Sequence, residues 1–352
     1  MQTILEEYSK KYPLYESFSI EIERLLKTVL SECPFQLHAI TSRTKHPKSL
    51  EKKISKPDKS YKKLEEITDL SGIRIITYFE KDIAKVKDII YNEFSVDDSK
   101  SEDKREIIHD RKFSYQSLHL IISLKKPRED LTDYLKFKGL SCEIQIRTIL
   151  QHAWAEIEHD LGYKNHINLP KSLNRRFGKL SALLELADDE FARLKFDIEN
   201  YALESANLIK TDNTNDILIN EIVLKEYIEN DEDFISLIHE MEIKINKPPF
   251  KSTDSFWLTT IPYALEVIGI KSLSILKQFV KKLKKEIVEC FFIVHPIPPK
   301  NKEWTSDMLL FVFILIYPVI HLSEEETKKY FYDIAIHPED NFYKKVRQHL
   351  KL

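Results

Sequence analysis

The sequence predicts an α+β domain, a mixed β-sheet flanked by helices, followed by a separate all-α domain. Three observations predict it. Early in the chain, stretches of two-residue alternation trade places with stretches of helical period. The polar run "KTDNTND" (Lys210 to Asp216) then interrupts the pattern, and beyond it only helical spacing recurs. The boundaries read from these signals are 1–205 for the mixed domain, 206–217 for a linker and 218–352 for the helical domain. A chain of 352 residues, 42% hydrophobic and 11% aromatic, has length and apolar content enough to give both domains a packed core.

In order, the spacing predicts a first helix over Leu14 to Ser31, with Pro13 near its start and Pro34 past its end. A strand follows near Gln36 to Lys45, then a helix from Pro47, a strand near Ile73 to Phe79 and a helix from Lys81 to Tyr91. Further strands fall at Tyr115 to Leu124 and Leu140 to Thr148. In the last of these, Glu143, Gln145 and Arg147 alternate with Ile144 and Ile146, the signature of a strand with one polar face. From Ile149 to Leu161 the period turns helical. Leu150, Trp154, Ile157 and Leu161 form an apolar stripe, with His152, Glu156 and His159 opposite. A long helical stretch runs from Pro170 to Ile209 and carries the apolar stripe of "LLELADDEFARL". After the linker, "DILINEIVLKEYIEN", "DEDFISLIHEM", "YALEVIGI" and "SLSILKQFVKKLKKEIV" all read as helices.

Composition removes several functional classes. Only five glycines occur and GxxxxGK[ST] is absent, so a glycine-rich phosphate cradle is not what this sequence builds. Cys33, Cys142 and Cys290 are too far apart to suggest a zinc framework, and His152, Glu156 and His159 lack the HExxH arrangement. No signal-peptide pattern opens the sequence, and the expected compartment is the cytoplasm. "MLLFVFILIYPVI" (Met308 to Ile320) is shorter than the roughly 20 residues that cross a bilayer and reads as a buried core helix, so no membrane partner is expected. The net charge of −3 argues neither for nor against a polyanionic partner, but Arg43 to Lys63 holds nine Lys or Arg against Glu51 and Asp58. A solvated helix face and a phosphate site both fit such a run.

Strand faces sharpen the choice. Arg43 and Lys45 share a face, as do Tyr115, Ser117 and His119, and as do Glu143, Gln145 and Arg147. "DLSGIR" places Asp69 just before a strand and Arg74 within it. Polar faces on three strands, composed of cations, two acids, an aromatic and an amide, argue for a shared concave site for a polyphosphate. Asp69 and Glu143 are hard oxygen donors suited to Mg²⁺, while Arg43, Lys45, Lys48, Lys52, Lys53 and Lys56 can neutralise phosphate charge. Tyr115 offers a ring on which a base could stack, or it packs on the next strand.

"RTKHPKS" with Lys53, "DLSGIR", "YQSLH" and "EIQIRT" followed by "HAWAEIEHDLGYK", in this order and spacing, resemble the synthetase domain of the RelA/SpoT alarmone enzymes. The resemblance covers about residues 14 to 200. It implies a nucleotidyltransferase-like fold and transfer of the β,γ-pyrophosphate of ATP to a 3′-hydroxyl, with AMP leaving. By motif matching, Arg43 and Arg74 would sandwich adenine, and Lys45, Ser49 and Lys53 would hold the ATP phosphates. Asp69 and Glu143 would be the catalytic pair that binds Mg²⁺, with Glu143 also activating the hydroxyl. Tyr115 would stack on the acceptor base, and His119, Gln145 and Arg147 would shape the acceptor side.

Departures from the family pattern cluster on that acceptor side. Ser114 stands where a glycine usually precedes the stacking tyrosine, Gln116 replaces the arginine after it, and "REIIHDRKFS" matches the usual basic stretch poorly. The family's hydrolase domain has no counterpart ahead of the first motif. Related stand-alone toxins pyrophosphorylate the 3′-terminal adenosine of tRNA, and some carry a fused neutralising domain that senses phage proteins. The layout here is similar, so the resemblance implies a growth-arresting enzyme acting on tRNA, restrained by its C-terminal domain until a protein trigger arrives. Two alternatives stay open: an alarmone synthetase using GDP or GTP, and an inactive nucleotide-binding module. The C-terminal domain could equally serve oligomerisation.

Overall fold

The structure, a computed structural model, describes residues 2–57, 60–103, 117–161, 170–215, 217–245, 257–295, 304–339 and 341–352. The chain divides into two compact units, Met1–Lys195 and Phe196–Leu352. The first unit contains α1 (Gln2–Leu30), β1 (Leu37–Thr44), α2 (Pro47–Ile54), β2 (Ser71–Thr77), α3 (Glu80–Glu93), β3 (Phe94–Val96) and β4 (Glu102–Asp103). It continues through β5 (Leu118–Leu124), a short α4 (Lys126–Glu129), β6 (Cys142–Thr148) and α5 (Ile149–Asp160). A long helix, α6 (Lys171–Lys210), follows.

The strands form one mixed sheet in the order β1-β2-β6-β5-β3, with β4 also paired to β5. Among the described residues β2 and β6 run parallel and the other pairs are antiparallel. Period-two alternation decides the two faces. Ile73, Ile75, Ile144, Ile146, Leu118, Leu120 and Ile122 turn to one side, where they bury against Phe18, Ile22 and Leu26 of α1 and Ile83, Val86 and Ile90 of α3. That leaves Arg43, Gly72, Arg74, Glu143, Gln145, Arg147 and His119 together on the other.

Two local expectations differ from the structure. Helix α1 begins at Gln2 and runs through Pro13 rather than starting after it. Proline lacks the N–H that would bond the preceding turn, but Ile4, Tyr8 and Tyr15 bury against Leu50, Ile54, Leu64, Ile67 and Leu70, and that packing holds the turn in place. Helix α5 buries Gln151, Trp154 and Glu158, leaving Ile157 and Leu161 52% and 58% exposed. A capping box sets this rotation: Gln151 N–H donates to Thr148 Oγ1 while Gln151 Oε1 accepts from Thr148 N–H. Gln151 is thereby turned inward, and Trp154 and Glu158 follow at helical spacing. Trp154 packs edge-on to Phe177, with ring centroids 5.8 Å apart.

Among its described residues the second unit is helical, with one bridge between Leu218 and Ser272. After the end of α6 come α7 (Glu221–Asn230), α8 (Glu232–Ile245), α9 (Trp257–Val267), α10 (Leu273–Lys282), α11 (Lys284–Val294), α12 (Asp307–His321), α13 (Glu324–Asp333) and α14 (Phe342–Leu350). The apolar run read as a core helix is α12, whose residues from Leu309 to Ile316 are all buried. Among the described residues no helix is long and apolar enough to cross a membrane. The compact units divide at Lys195 and Phe196, within α6.

Candidate functional site

The polar face of the sheet is organised in rows set by strand register. In the first row Arg43 lies opposite Gly72, and Gly72 opposite Glu143. Gly72 is the reason that the two charged side chains meet. A Cβ there would lie 3.1 Å from Arg43 Nε and 3.2 Å from Arg43 Cγ. Without it, the arginine lies across β2 and brings Nη2 to 3.6 Å from Glu143 Oε2. In the second row Arg74 is opposite Gln145, and Gln145 opposite His119.

Glu143 is the hub. His119 Nδ1 is 3.1 Å from its Oε1, and Gln145 Nε2 donates to its Oε2 at 2.9 Å. Gln145 Oε1 in turn accepts from Arg147 Nη2, and His119 Nε2 meets Ser117 Oγ at 2.7 Å. Burial disfavours the charged form of Glu143, but His119, Gln145 and Arg43 outweigh it and hold the carboxyl down at about 2. Burial also lowers the Arg147 guanidinium, helped by Arg74, to about 10, which leaves it charged at neutral pH.

Asp69 is the second carboxylate. Lys45 Nζ donates to its Oδ2 at 2.7 Å, and Lys53 Nζ from α2 lies 2.8 Å from its Oδ1. Burial works against ionisation here too, and the two lysines overcome it, keeping the Asp69 carboxyl below its ordinary value. Helix α1 fixes this corner: Tyr8 Oη donates to the Lys45 carbonyl, and Ser71 Oγ donates to the Tyr15 carbonyl at 3.0 Å. Ser49 sits exposed in the first turn of α2, one helical turn from Lys53 and on the same side of the helix.

Arg74 is held from above by α5, with Nη1 3.1 Å from Glu156 Oε1. His152 Nδ1 lies 3.8 Å from the same oxygen. Burial and then Arg147 push the His152 imidazole below its usual value. Arg74 Nε and Arg147 Nε are buried with no hydrogen-bond partner. A buried donor left unmatched is costly, and two guanidinium donors in that state on one face suit oxygens of an anionic ligand. The structure thus brings together Arg43, Lys45, Lys53, Asp69, Arg74, His119, Glu143, Gln145 and Arg147. Tyr115, with Ser114 and Gln116, lies outside the described residues. Sequence reasoning missed Gly72 and Glu156 as site residues; the available signal for Gly72 was a glycine at the start of a strand in a chain that has only five.

Among the described residues no group of three or more His, Cys, Asp or Glu is placed to hold a metal. Mg²⁺ asks for less, one or two carboxylates with substrate phosphates completing the shell. Asp69 Oδ1 is buried with Lys53 Nζ 2.8 Å away, and Glu143 is ionised; these hard oxygens fit that ion.

Residues 42–168 match the family described as "Region found in RelA / SpoT proteins". Among characterised relatives, the chain is similar to the GTP pyrophosphokinase YjbM of Bacillus subtilis. The two are 30% identical over 161 residues, which is 46% of this chain and 72% of YjbM. The chain belongs to the RelA/SpoT family. As a RelA/SpoT enzyme it is an ATP-dependent pyrophosphokinase. It is also similar to the GTP pyrophosphokinase YwaC of B. subtilis, 30% identical over 135 residues, 38% of this chain and 61% of YwaC. Among solved structures, it is similar to the small alarmone synthetase 1 from B. subtilis at 25% identity, covering 55% of this chain and 99% of that one, with a TM-score of 0.46. The family match of this RelA/SpoT enzyme stops short of α6 and the second unit.

Proposed function

We propose that this enzyme transfers the β,γ-pyrophosphate of ATP to the 3′-hydroxyl of a guanine nucleotide, GDP or GTP, with Mg²⁺ held by Asp69 and Glu143. The observation that carries the reading is a pair of ionised carboxylates bracketed by five cations on one sheet face: Lys45 and Lys53 at Asp69, Arg43 at Glu143, with Arg74 and Arg147 beside them. This balance suits a polyphosphate, whose oxygens would draw Lys45 and Lys53 away from Asp69 and release it to a metal. Bound there, Mg²⁺ would neutralise charge on the phosphates. Arg43 and Arg74 would hold the adenine. Held at about 2, Glu143 is ionised at neutral pH but weakly basic, so it positions the attacking hydroxyl by accepting its hydrogen bond. The guanine acceptor is supported by both characterised relatives, each a GTP pyrophosphokinase.

A second reading, the 3′-terminal adenosine of tRNA, is favoured by Ser114 and Gln116, the departures beside the base-stacking position of Tyr115. In that reading the helical second unit restrains a growth-arresting enzyme, and a protein trigger relieves it. The test is to incubate the protein, full-length and truncated after Lys210, with γ-labelled ATP, Mg²⁺ and GDP, GTP or deacylated tRNA. Label on the free nucleotides supports the first reading. Label on tRNA, stronger after truncation, replaces it with the second, and no transfer to any acceptor refutes both.

A further inference from the structure

Two tyrosines grip the lysines that flank Asp69, and neither lies on a strand. The first belongs to α1. Tyr8, Tyr12, Tyr15 and Ser19 recur at steps of four, three and four, which at about 100° per residue sets them within an arc of roughly 60°. This stripe ties down the end of β1 and the start of β2: Thr44 Oγ1 donates to Ser19 Oγ at 3.3 Å, and Ser71 Oγ donates to the Tyr15 carbonyl at 3.0 Å. Tyr8 is fully buried, with its ring centroid 5.7 Å from that of Tyr12 and 5.8 Å from that of Tyr15, and its hydroxyl donates to the Lys45 carbonyl. The Lys45 N–H already bonds the Leu70 carbonyl at 2.9 Å. Both main-chain groups of a residue lying between β1 and α2 are thereby fixed.

The second tyrosine follows α2. Tyr61 is half-buried against the cluster that contains Tyr8, Leu50 and Leu64. Its ring centroid lies 5.9 Å from Lys53 Nζ, within reach of a cation–aromatic attraction. The Lys53 ammonium therefore has two partners, this ring and the Asp69 carboxylate at 2.8 Å.

The two grips answer one electrostatic problem. Transfer asks Asp69 to serve Mg²⁺ and asks Lys45 and Lys53 to serve phosphate. When Asp69 turns to the metal, both lysines lose the carboxylate that holds them, and a flexible four-carbon stem is free to leave the site. A hold that survives the exchange must come from groups that do not compete for a divalent cation. Tyr8 grips the main chain, so the Lys45 side chain starts from a fixed peptide whichever oxygen it meets. Tyr61 grips the ammonium itself through a ring face. We propose that Tyr8 and Tyr61 are positioning residues for ATP, which keep Lys45 and Lys53 aimed at its phosphates after Asp69 has passed to the metal. This inference rests on the assignment of Asp69 and the two lysines made under the proposed function.

The test is titration calorimetry of the full-length protein with a non-hydrolysable ATP analogue, in Mg²⁺ and again in EDTA, with circular dichroism to confirm that each variant is folded. In Mg²⁺, Tyr8→Phe should weaken binding about three- to tenfold, the worth of one hydrogen bond. Tyr61→Leu should weaken it about two- to fivefold, whereas Tyr61→Phe keeps the ring and should match the wild type. In EDTA, where Asp69 stays with its lysines, both losses should shrink. Steady-state kinetics should show KM for ATP rising while kcat and the acceptor KM hold. Added to Lys53→Met, Tyr61→Leu should do nothing further. Wild-type affinity in Tyr8→Phe or Tyr61→Leu overturns the proposal, as does an equal loss in Tyr61→Phe, an undiminished loss in EDTA, or an acceptor KM that rises in step. Lys45→Met and Lys53→Met that bind the analogue as tightly as the wild type overturn the phosphate assignment itself, a result that no tyrosine variant imitates.

Discussion

Replacing Gly72 with alanine puts a methyl group where Arg43 now lies. The added carbon would be 3.1 Å from Arg43 Nε and 3.2 Å from Cγ, against a comfortable separation of about 3.5 to 4.0 Å, so the arginine must retreat by roughly half an ångström. The backbone does not object, since Gly72 is not among the glycines with positive φ. Lower entropy of the unfolded alanine chain contributes about 0.4 to 1 kcal/mol of stability, close to the cost of the contact, so folding should be nearly unchanged. Ligand binding should not be. If Arg43 clasps the adenine, losing about 1 kcal/mol of a cation–aromatic contact weakens ATP about fivefold. Titration calorimetry with a non-hydrolysable ATP analogue measures this, and a double-mutant cycle with Arg43→Ala isolates the cause. In the Arg43→Ala background, Gly72→Ala should do nothing further. An equal loss in both backgrounds, or a melting temperature that collapses in Gly72→Ala alone, refutes the reasoning.

Glu143→Gln keeps the shape of the side chain but removes the charge that the metal and the hydroxyl need, and turnover should fall by about a thousandfold or more; normal transfer of labelled pyrophosphate ends the assignment. Because the Glu143 carboxyl is lowered from 4.5 to about 2, the stability it lends is complete above its ordinary value and is lost only as pH falls toward 2. An activity limb at pH 4 to 5 that vanishes in Glu143→Gln/Asp comparisons would contradict this. Lys53→Met takes one of the two cations from Asp69, so the Asp69 carboxyl should titrate higher by NMR and ATP affinity should fall; an unmoved Asp69 resonance excludes the pairing. In the second unit, burial pushes His295 from 6.5 down to about 4, opposed by a hydrogen bond with the Met308 backbone. The unfolded chain takes up a proton that the folded unit refuses, so stability is full above pH 6.5 and declines by about 3 kcal/mol as pH falls to 4. Denaturant melts of wild type and His295→Phe should diverge over that window, and parallel profiles would exclude His295 as the cause.

Strand faces were legible because a sheet with one face on the core imposes strict alternation. Ile144 and Ile146 had to point one way, and Glu143, Gln145 and Arg147 the other. The run around α12 was equally plain, since a helix buried on all sides needs no polar stripe. Features decided by tertiary contact were not legible. Pro13 looked like a helix start until Tyr8 and Tyr15 packed on α2, and Ile157 looked buried until the Thr148 capping box turned Gln151 and Trp154 inward. Strands β3 and β4 are too short to show a period. Gly72 carries no side chain to read; its meaning appears only when register sets it between Arg43 and Glu143.

The parallel pairing of β2 with β6 also has a temporal side. Thr77 Oγ1 and the Arg147 carbonyl, 70 residues apart in sequence, are joined by that pairing, while β1 pairs with β2 across a shorter connection that carries α2. Closing so long a loop is entropically late. Arg43, Lys45, Lys53 and Asp69 can therefore assemble early, whereas Glu143 joins them only when β6 docks. We expect hydrogen-exchange protection at Ile73 to arise before protection at Ile144 during refolding, with pyrophosphate transfer appearing only together with Ile144; protection at Ile144 ahead of Ile73 would disprove the order. A nascent chain that has not yet made β6 would hold the lysines and arginines for phosphate without the carboxylate that turns binding into transfer.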